Sequence, residues 1–213
     1  MNNGYLSMWD GWSKRRAGVP VYDNWLDDYK DILDKYKDST ILDLGCGLGA
    51  NTLYLKERGY KVVAADFSEE ALNSINKNIG DVETININLL NDFPLQDGSY
   101  LVVIADLCLH YFDDKTTKNI MKEIKRILKD NGVLLARVAR VDDYNFGACE
   151  GEEVEHHFYF EGDYTKRFFD EEDVENYFSI VGDVEYKKTS MIRDEEEYSK
   201  EKRLFEVKVV KGE

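Results

Sequence analysis

From Thr40 to Val141 short apolar, β-branched runs alternate with apolar stripes at helical spacing, and this alternation is what most constrains the fold. "TILDLG" and "YKVVAAD" read as strands that end on Gly45 and Asp66, and "YLVVIADL" is a continuous apolar run of the kind buried on both faces. "ETININ" is a weaker strand, and "VLLARVARV" a further one. Between them, "ANTLYLKERG" predicts a helix stopped by Gly59, and "SEEALNSINKN" a helix capped by Ser68 with acids in its first turn. "DDKTTKNIMKEIKRILKDNG" puts Ile120, Met121, Ile124, Ile127 and Leu128 on one stripe, with Asp113 or Asp114 as cap and Asn131-Gly132 as stop. Strands separated by helices imply right-handed crossovers, hence a parallel sheet covered on both faces.

Both ends depart from this rhythm. Residues 22–36 carry Trp25, Leu26, Tyr29, Ile32, Leu33 and Tyr36 at helical spacing, with Asp23 or Asn24 as cap. After Asp142 comes an aromatic and acidic stretch, then the helix "DEEDVENYF" and strands near 182–191 and 203–210 with no helical pattern between them. The last strand is therefore expected to return antiparallel. The expectation is a Rossmann-like, doubly wound, seven-stranded, mostly parallel sheet with one antiparallel strand near its edge. It forms one α/β domain over residues 1–213, with residues 1–37 as an N-terminal helical lid and 142–169 as an insertion near the acceptor pocket.

Charge and cysteine content narrow the function. A net charge of −15 opposes a broad nucleic-acid surface, which needs clustered Lys and Arg. No Lys or Arg occurs between Asp142 and Asp163; a solvated face is the favoured reading of that stretch, and steering of a cationic substrate the weaker one. Cys46, Cys108 and Cys149 lack any paired spacing and are expected as free thiols. No apolar run reaches the roughly 20 residues of a membrane span. The first residues lack the order of a signal peptide, so a cytoplasmic location is expected.

The chemistry-bearing residues fall at strand ends, where ligands bind in such sheets. In "LDLGCGLG", Gly45, Gly47 and Gly49 permit a tight turn and close approach of a ligand. Asp66 ends the second strand about twenty residues later, a spacing that suits a carboxylate holding ribose hydroxyls. Asn88 and Leu89 stand where a purine edge would be read, and Asp106, Leu107, His110 and Tyr111 follow the central strand.

Asp43 discriminates among nucleotides. A carboxylate before the first glycine would repel the pyrophosphate that dinucleotide turns place at a helix N-terminus. It suits a cationic ligand without phosphate, and S-adenosylmethionine (SAM) has a sulfonium, an α-ammonium group and no phosphate.

The run "ILDLGCGLGANTLYL…YKVVAADFSEEAL…INLLNDFPLQDGSYLVVIADLCLHYF…IKRILKDNGVLLARV" resembles class I SAM-dependent methyltransferases. It is most similar to small bacterial members related to the tellurite-resistance methyltransferase group. The resemblance covers residues 38–140 and continues more loosely beyond. It implies that Asp43, Gly45, Cys46, Gly47 and Gly49 surround the methionyl moiety, and that Asp66 holds the ribose with Phe67 near the adenine. It further implies that Asn88 and Leu89 meet the adenine edge, and that Asp106 and Leu107 line the methyl-donor end. Many relatives carry Asp at the position of Asn88 and an acid at that of Leu101.

Methyl transfer from a sulfonium is an in-line displacement in which orientation contributes roughly 7–11 kcal/mol in favourable cases. A base is required only when the acceptor carries a proton that must leave; His110 is the candidate, and Asp106 is grouped with it as catalytic. S-adenosylhomocysteine is the expected product and a small molecule the expected acceptor. His156 and His157 are expected to line the acceptor pocket or to cover the sheet. No third ligand stands at a spacing that supports a metal beside them, so no metal is expected. Trp9, Trp12, Tyr22 and Trp25 are read either as aromatics near the sulfonium or as anchors of the first helix. A SAM-binding regulatory module is the second functional reading, and an NAD-linked oxidoreductase the third.

Overall fold

The computed structural model describes residues 20–192 and 200–212. Seven strands form one sheet: β1 (Thr40–Leu44), β2 (Lys61–Asp66), β3 (Glu83–Asn86), β4 (Tyr100–Asp106), β5 (Leu128–Ala139), β9 (Asp183–Met191) and β10 (Lys202–Val210). Their order is β3-β2-β1-β4-β5-β10-β9. The first five pair in parallel, whereas β10 runs antiparallel to both β5 and β9. The expected antiparallel return next to the edge is therefore present. Because β1 and β4 are neighbours, the chain reverses its direction of travel between them, and such a switch point is where open sheets of this kind bind ligands, at the carboxyl ends of the strands.

Alternate side chains of each strand serve opposite faces. Leu42, Leu44, Val103, Ala105, Leu134 and Ala136 join the larger core, with Ile120, Met121, Ile124 and Ile127 of α4 (Asp114–Ile127) and Val174, Tyr177 and Phe178 of α5 (Glu171–Phe178). Ile41, Val102, Ile104, Val133 and Leu135 face the other way, onto Trp25, Leu26, Leu33, and Tyr54 and Leu55 of α2 (Ala50–Glu57). Residues this buried each contribute roughly 1.5–3 kcal/mol relative to exposure. The helix α3 (Glu69–Asn78) seals the flank of the glycine turn through Leu72 and Ile75.

Two caps match expectation: Ser68 accepts from the Ala71 amide, and Asp113, not Asp114, accepts from the Thr116 amide. Three features differ from the sequence reading. The first helical segment divides into a 3-10 turn, Trp25–Tyr29, and a short α1, Lys30–Lys35. Asn24 stands at the cap position without a side-chain bond, and Asp23 pairs with Arg137 instead. The helix α4 ends at Ile127, so Asn131-Gly132 does not stop it. The pairing jumps from Tyr100↔Leu128 to Val102↔Val133, and Asn131, at φ +60°, lies in that irregular turn of β5.

Residues 152–167 fold into a small antiparallel sheet that the composition of the insertion had hidden. It consists of β6 (Glu152–Glu155), β7 (Phe158–Phe160) and β8 (Thr165–Arg167). The acid-rich β6 is exposed throughout, whereas Lys166 and Arg167 of β8 are buried. The β8 strand lies against the 3-10 turn Leu109–Tyr111 that follows β4, so the insertion sits over that strand end.

Candidate functional site

The glycine turn is held by the end of β2. The amides of Gly45 and Cys46 both donate to the Ala65 carbonyl, at 2.7 and 3.0 Å. The Gly47 amide donates to Asp66 Oδ2 at 2.9 Å, and the Ser68 amide to Asp66 Oδ1 at 2.9 Å. Asp66 thus links the turn to the start of α3 as well as ending its own strand.

The three glycines have different reasons to be glycine. All have positive φ. A Cβ on Gly45 would lie 2.5 Å from Cys108 Cβ, and one on Gly49 would lie 2.6 Å from Ile79 Cδ1. These two positions are closed by the protein itself. A Cβ on Gly47 would meet nothing within 4 Å, so this residue faces open space. Cys46 is buried, and desolvation raises its thiol pKa and that of Cys108 well above the usual range.

Asp43 is 1% exposed. Thr52 of α2 donates to its Oδ2 at 2.6 Å, while Oδ1 is buried with no hydrogen-bond partner among the described residues. Burial raises its pKa to about 7, opposed by the Thr52 bond and assisted by repulsion from Asp106 and Asp66. Three carboxylates therefore converge at the carboxyl ends of β1, β2 and β4. A buried acceptor without a donor among the described residues, with two further carboxylates near enough to repel it, fits a cationic ligand.

Asp106 is committed to a network that sequence reasoning missed. Arg137 Nε and Nη2 donate to its two oxygens at 2.7 and 2.8 Å, and Asn51 Nδ2 adds a bond of 3.2 Å. Arg137 also reaches Asp23 at 2.8 Å and lies over the Trp25 ring, 4.6 Å from its centroid. Trp25 Nε1 in turn donates to Asn51 Oδ1 at 2.9 Å. A visible signal existed: an arginine inside the apolar run "VLLARVARV" must be paired if the strand is central. Leu107, the next residue, has φ +56°, and its amide donates to the Arg137 carbonyl at 3.0 Å. Such a conformation is costly for a branched side chain and concentrates at functional sites.

Phe67, Asn88 and Leu89 are partly exposed. Asn86, also missed, fixes Phe67 by donating to its carbonyl at 2.9 Å. Asn88 Oδ1 accepts from the Leu90 amide at 3.0 Å, closing a local turn. His110 is 0% exposed, and neither ring nitrogen has a partner among the described residues. Desolvation, then the charges of Lys166 and Lys202, hold its pKa well below the usual value. Tyr111 packs on it, ring centroids 4.3 Å apart.

Of the N-terminal aromatics, Trp25 and Tyr22 are anchors: Trp25 through the network above, Tyr22 edge-on against Tyr54 at 5.4 Å with its hydroxyl on Glu57. Trp9, Trp12 and the rest of residues 1–19 of the expected lid lie outside the described residues. His156 and His157 meet two carboxylates that sequence spacing did not bring to them, Asp170 and Asp173. No helix among the described residues is long and apolar enough to cross a membrane.

Residues 41–132 match the protein family described as a methyltransferase domain. An uncharacterized methyltransferase of Synechocystis is 31% identical over 93 residues, covering 44% of this chain and 43% of that protein. The carboxy-S-adenosyl-L-methionine synthase of Shewanella loihica is 29% identical over 131 residues, covering 56% and 53%. The chain spans about half the length of these curated relatives. The structure of a SAM-dependent methyltransferase from Methanosarcina mazei superposes with a TM-score of 0.72 at 20% identity, covering 85% of this chain and 97% of that one. The 1,6-didemethyltoxoflavin-N1-methyltransferase of Burkholderia thailandensis, solved with bound 1,6-didemethyltoxoflavin and S-adenosylhomocysteine, gives a TM-score of 0.60 at 15% identity, covering 99% of this chain and 84% of that one. At such identities these structures establish a shared fold.

Proposed function

We propose that this protein is a SAM-dependent methyltransferase acting on a small-molecule acceptor, a single catalytic domain of the branch related to the tellurite-resistance methyltransferases. The observation that carries the cofactor reading is Asp43: a buried carboxylate with one oxygen that has no hydrogen-bond partner among the described residues, on the strand that leads into the open turn at Gly47. The matching methyltransferase family over residues 41–132 supports it independently. When bound, SAM supplies an electrophilic methyl group on a sulfonium. Asp43 and the turn Gly45, Cys46, Gly47 and Gly49 would hold the methionyl part. Asp66 would hold the ribose, Phe67, Asn88 and Leu89 the adenine, and Leu107 the donor end. Asp106 frames that end through Arg137; the bidentate guanidinium pair holds it as a carboxylate of low basicity, so its role is positioning and not proton acceptance.

His110 is proposed as base for acceptors that must lose a proton. Its ring nitrogens have no hydrogen-bond partner among the described residues, and it stands in the 3-10 turn that follows the end of β4. The proposal also places the protein in the cytoplasm and excludes nucleic acid as acceptor, because the chain carries a net charge of −15.

Calorimetry with SAM, S-adenosylhomocysteine and NAD tests the cofactor. Micromolar SAM binding that Asp66→Ala weakens about tenfold or more is expected, from the loss of charge-assisted bonds worth roughly 1.5–3 kcal/mol. Binding of NAD without SAM would overturn the assignment. A screen over thiols, metalloid oxyanions, amines and phenols, read by mass spectrometry of both acceptor and cofactor, then separates methyl transfer from cofactor modification and from a purely regulatory SAM-binding module.

A further inference from the structure

Apart from the glycine turn, a second constellation forms where the β6–β7 connection meets the start of α5. His156, His157, Asp170 and Asp173 each offer one ligand atom, and these four atoms lie within 4.8 Å of one another. We propose that they bind a divalent transition-metal ion, with zinc as the best match.

The local backbone explains how adjacent histidines converge. Neighbouring residues of a strand point to opposite faces. His157 has φ +54°, a left-handed conformation that turns the chain, and the two imidazoles lie tilted by 31° with centroids 3.7 Å apart. Both residues are pinned from either side. Arg167 Nη1 donates to the His156 carbonyl at 2.7 Å, the His157 amide donates to Glu153 Oε1 at 2.8 Å, and the Phe168 amide donates to the His157 carbonyl at 2.8 Å.

The carboxylates are placed by a capping box. Asp170 Oδ1 accepts from the Asp173 amide at 2.8 Å, and Asp173 Oδ2 from the Asp170 amide at 3.3 Å. His157 Nδ1 lies 2.7 Å from Asp173 Oδ2 and 3.9 Å from Asp170 Oδ2. In a tetrahedral zinc site, bonds of about 2.0–2.2 Å put neighbouring ligand atoms about 3.3 Å apart. The His157–Asp173 pair would open slightly and the wider pairs would close. His156 is exposed, so its ring can make that adjustment.

The donor set selects the class of ion. Two imidazole nitrogens favour zinc over calcium or magnesium, which take oxygen ligands. Two carboxylates with two neutral imidazoles balance a dication. The nearby cations are already engaged, Arg167 with Glu155 at 2.9 Å and Lys188 with Glu171 at 2.5 Å. The plain alternative is a single His157–Asp173 hydrogen bond tying the turn to the helix. That bond needs neither His156 nor Asp170, whereas the metal site uses all four. With four protein ligands the site would be structural, fastening the small sheet to α5.

The test is titration of the full chain, stripped with chelator, with zinc chloride alone. One equivalent should bind at micromolar affinity or tighter and raise the melting temperature. His156→Ala should weaken binding by more than about tenfold and abolish the thermal shift, leaving metal-free stability unchanged because the side chain is exposed. Asp170→Asn, which keeps a good helix cap, should also weaken binding. Cobalt substitution should show nitrogen and oxygen ligation without a thiolate charge-transfer band. The proposal is overturned by absence of stoichiometric binding, by unchanged affinity in His156→Ala, or by a thiolate band assigning the ion to a cysteine.

Discussion

Arg137 on β5 grips Asp106 on β4 through two parallel hydrogen bonds of 2.7 and 2.8 Å, and both side chains are almost fully withdrawn from solvent. This pair joins the carboxyl end of β4 to the N-terminal segment, because the same guanidinium reaches Asp23 and covers Trp25.

Breaking that pair from one side should be costly. Arg137→Ala leaves an uncompensated buried carboxylate and should lower unfolding free energy by about 3–5 kcal/mol. Arg137→Lys should recover only part, since an ammonium cannot reproduce the bidentate fork. An Asp106→Leu/Arg137→Met double variant should be more stable than Arg137→Ala. Urea denaturation of the three variants measures this, and a double variant no more stable than Arg137→Ala would show that no penalty attaches to the unpaired carboxylate.

Asp43 predicts two pH dependences of opposite sense. Its folded pKa of about 7 exceeds the ordinary aspartate value of 3.8, so the unfolded chain releases this proton first. Stability without cofactor should therefore fall as pH rises from about 4 to about 7 and then level off. SAM affinity should instead rise, about tenfold from pH 6 to pH 8, as the carboxylate ionises. Asp43→Asn should flatten both profiles, raise the melting temperature at pH 8 and weaken SAM binding. Thermal melts and calorimetry across that range provide the check.

The glycines should separate stability from binding. Gly45→Ala drives a Cβ into Cys108 at a left-handed φ and should destabilise the fold by roughly 1–3 kcal/mol or more. Gly47→Ala meets no neighbour, so its stability loss should be limited to the roughly 1–2 kcal/mol of the left-handed backbone. Its principal effect should be on SAM affinity, because the new methyl group occupies the open cradle. Equal SAM affinity in Gly47→Ala and the parent chain would place the ligand elsewhere.

The parallel half of the sheet was legible because local rules agree there. Apolar runs, caps at Ser68 and Asp113, and Gly59 with φ +77° all point the same way over a few residues. The glycine turn and Asp66 were legible for the same reason: each is a strand end, readable from pattern alone. The Asn131-Gly132 pair misled because a turn signal cannot say whether it ends a helix or interrupts a strand. Pairing with β4, a non-local fact, decided it.

By itself, then, the sequence determined the alternation, the strand ends and the unusual acid at residue 43. Only the tertiary structure decided what those groups meet. Arg137 finds Asp106 on the adjacent strand and Asp23 across the fold, separations of 31 and 114 residues. His157 finds Asp173, 16 residues on, because the small sheet is folded back against a helix N-terminus. Helical and strand periodicity follow from local sterics, whereas the partners of buried charges follow from which distant segments the core brings together.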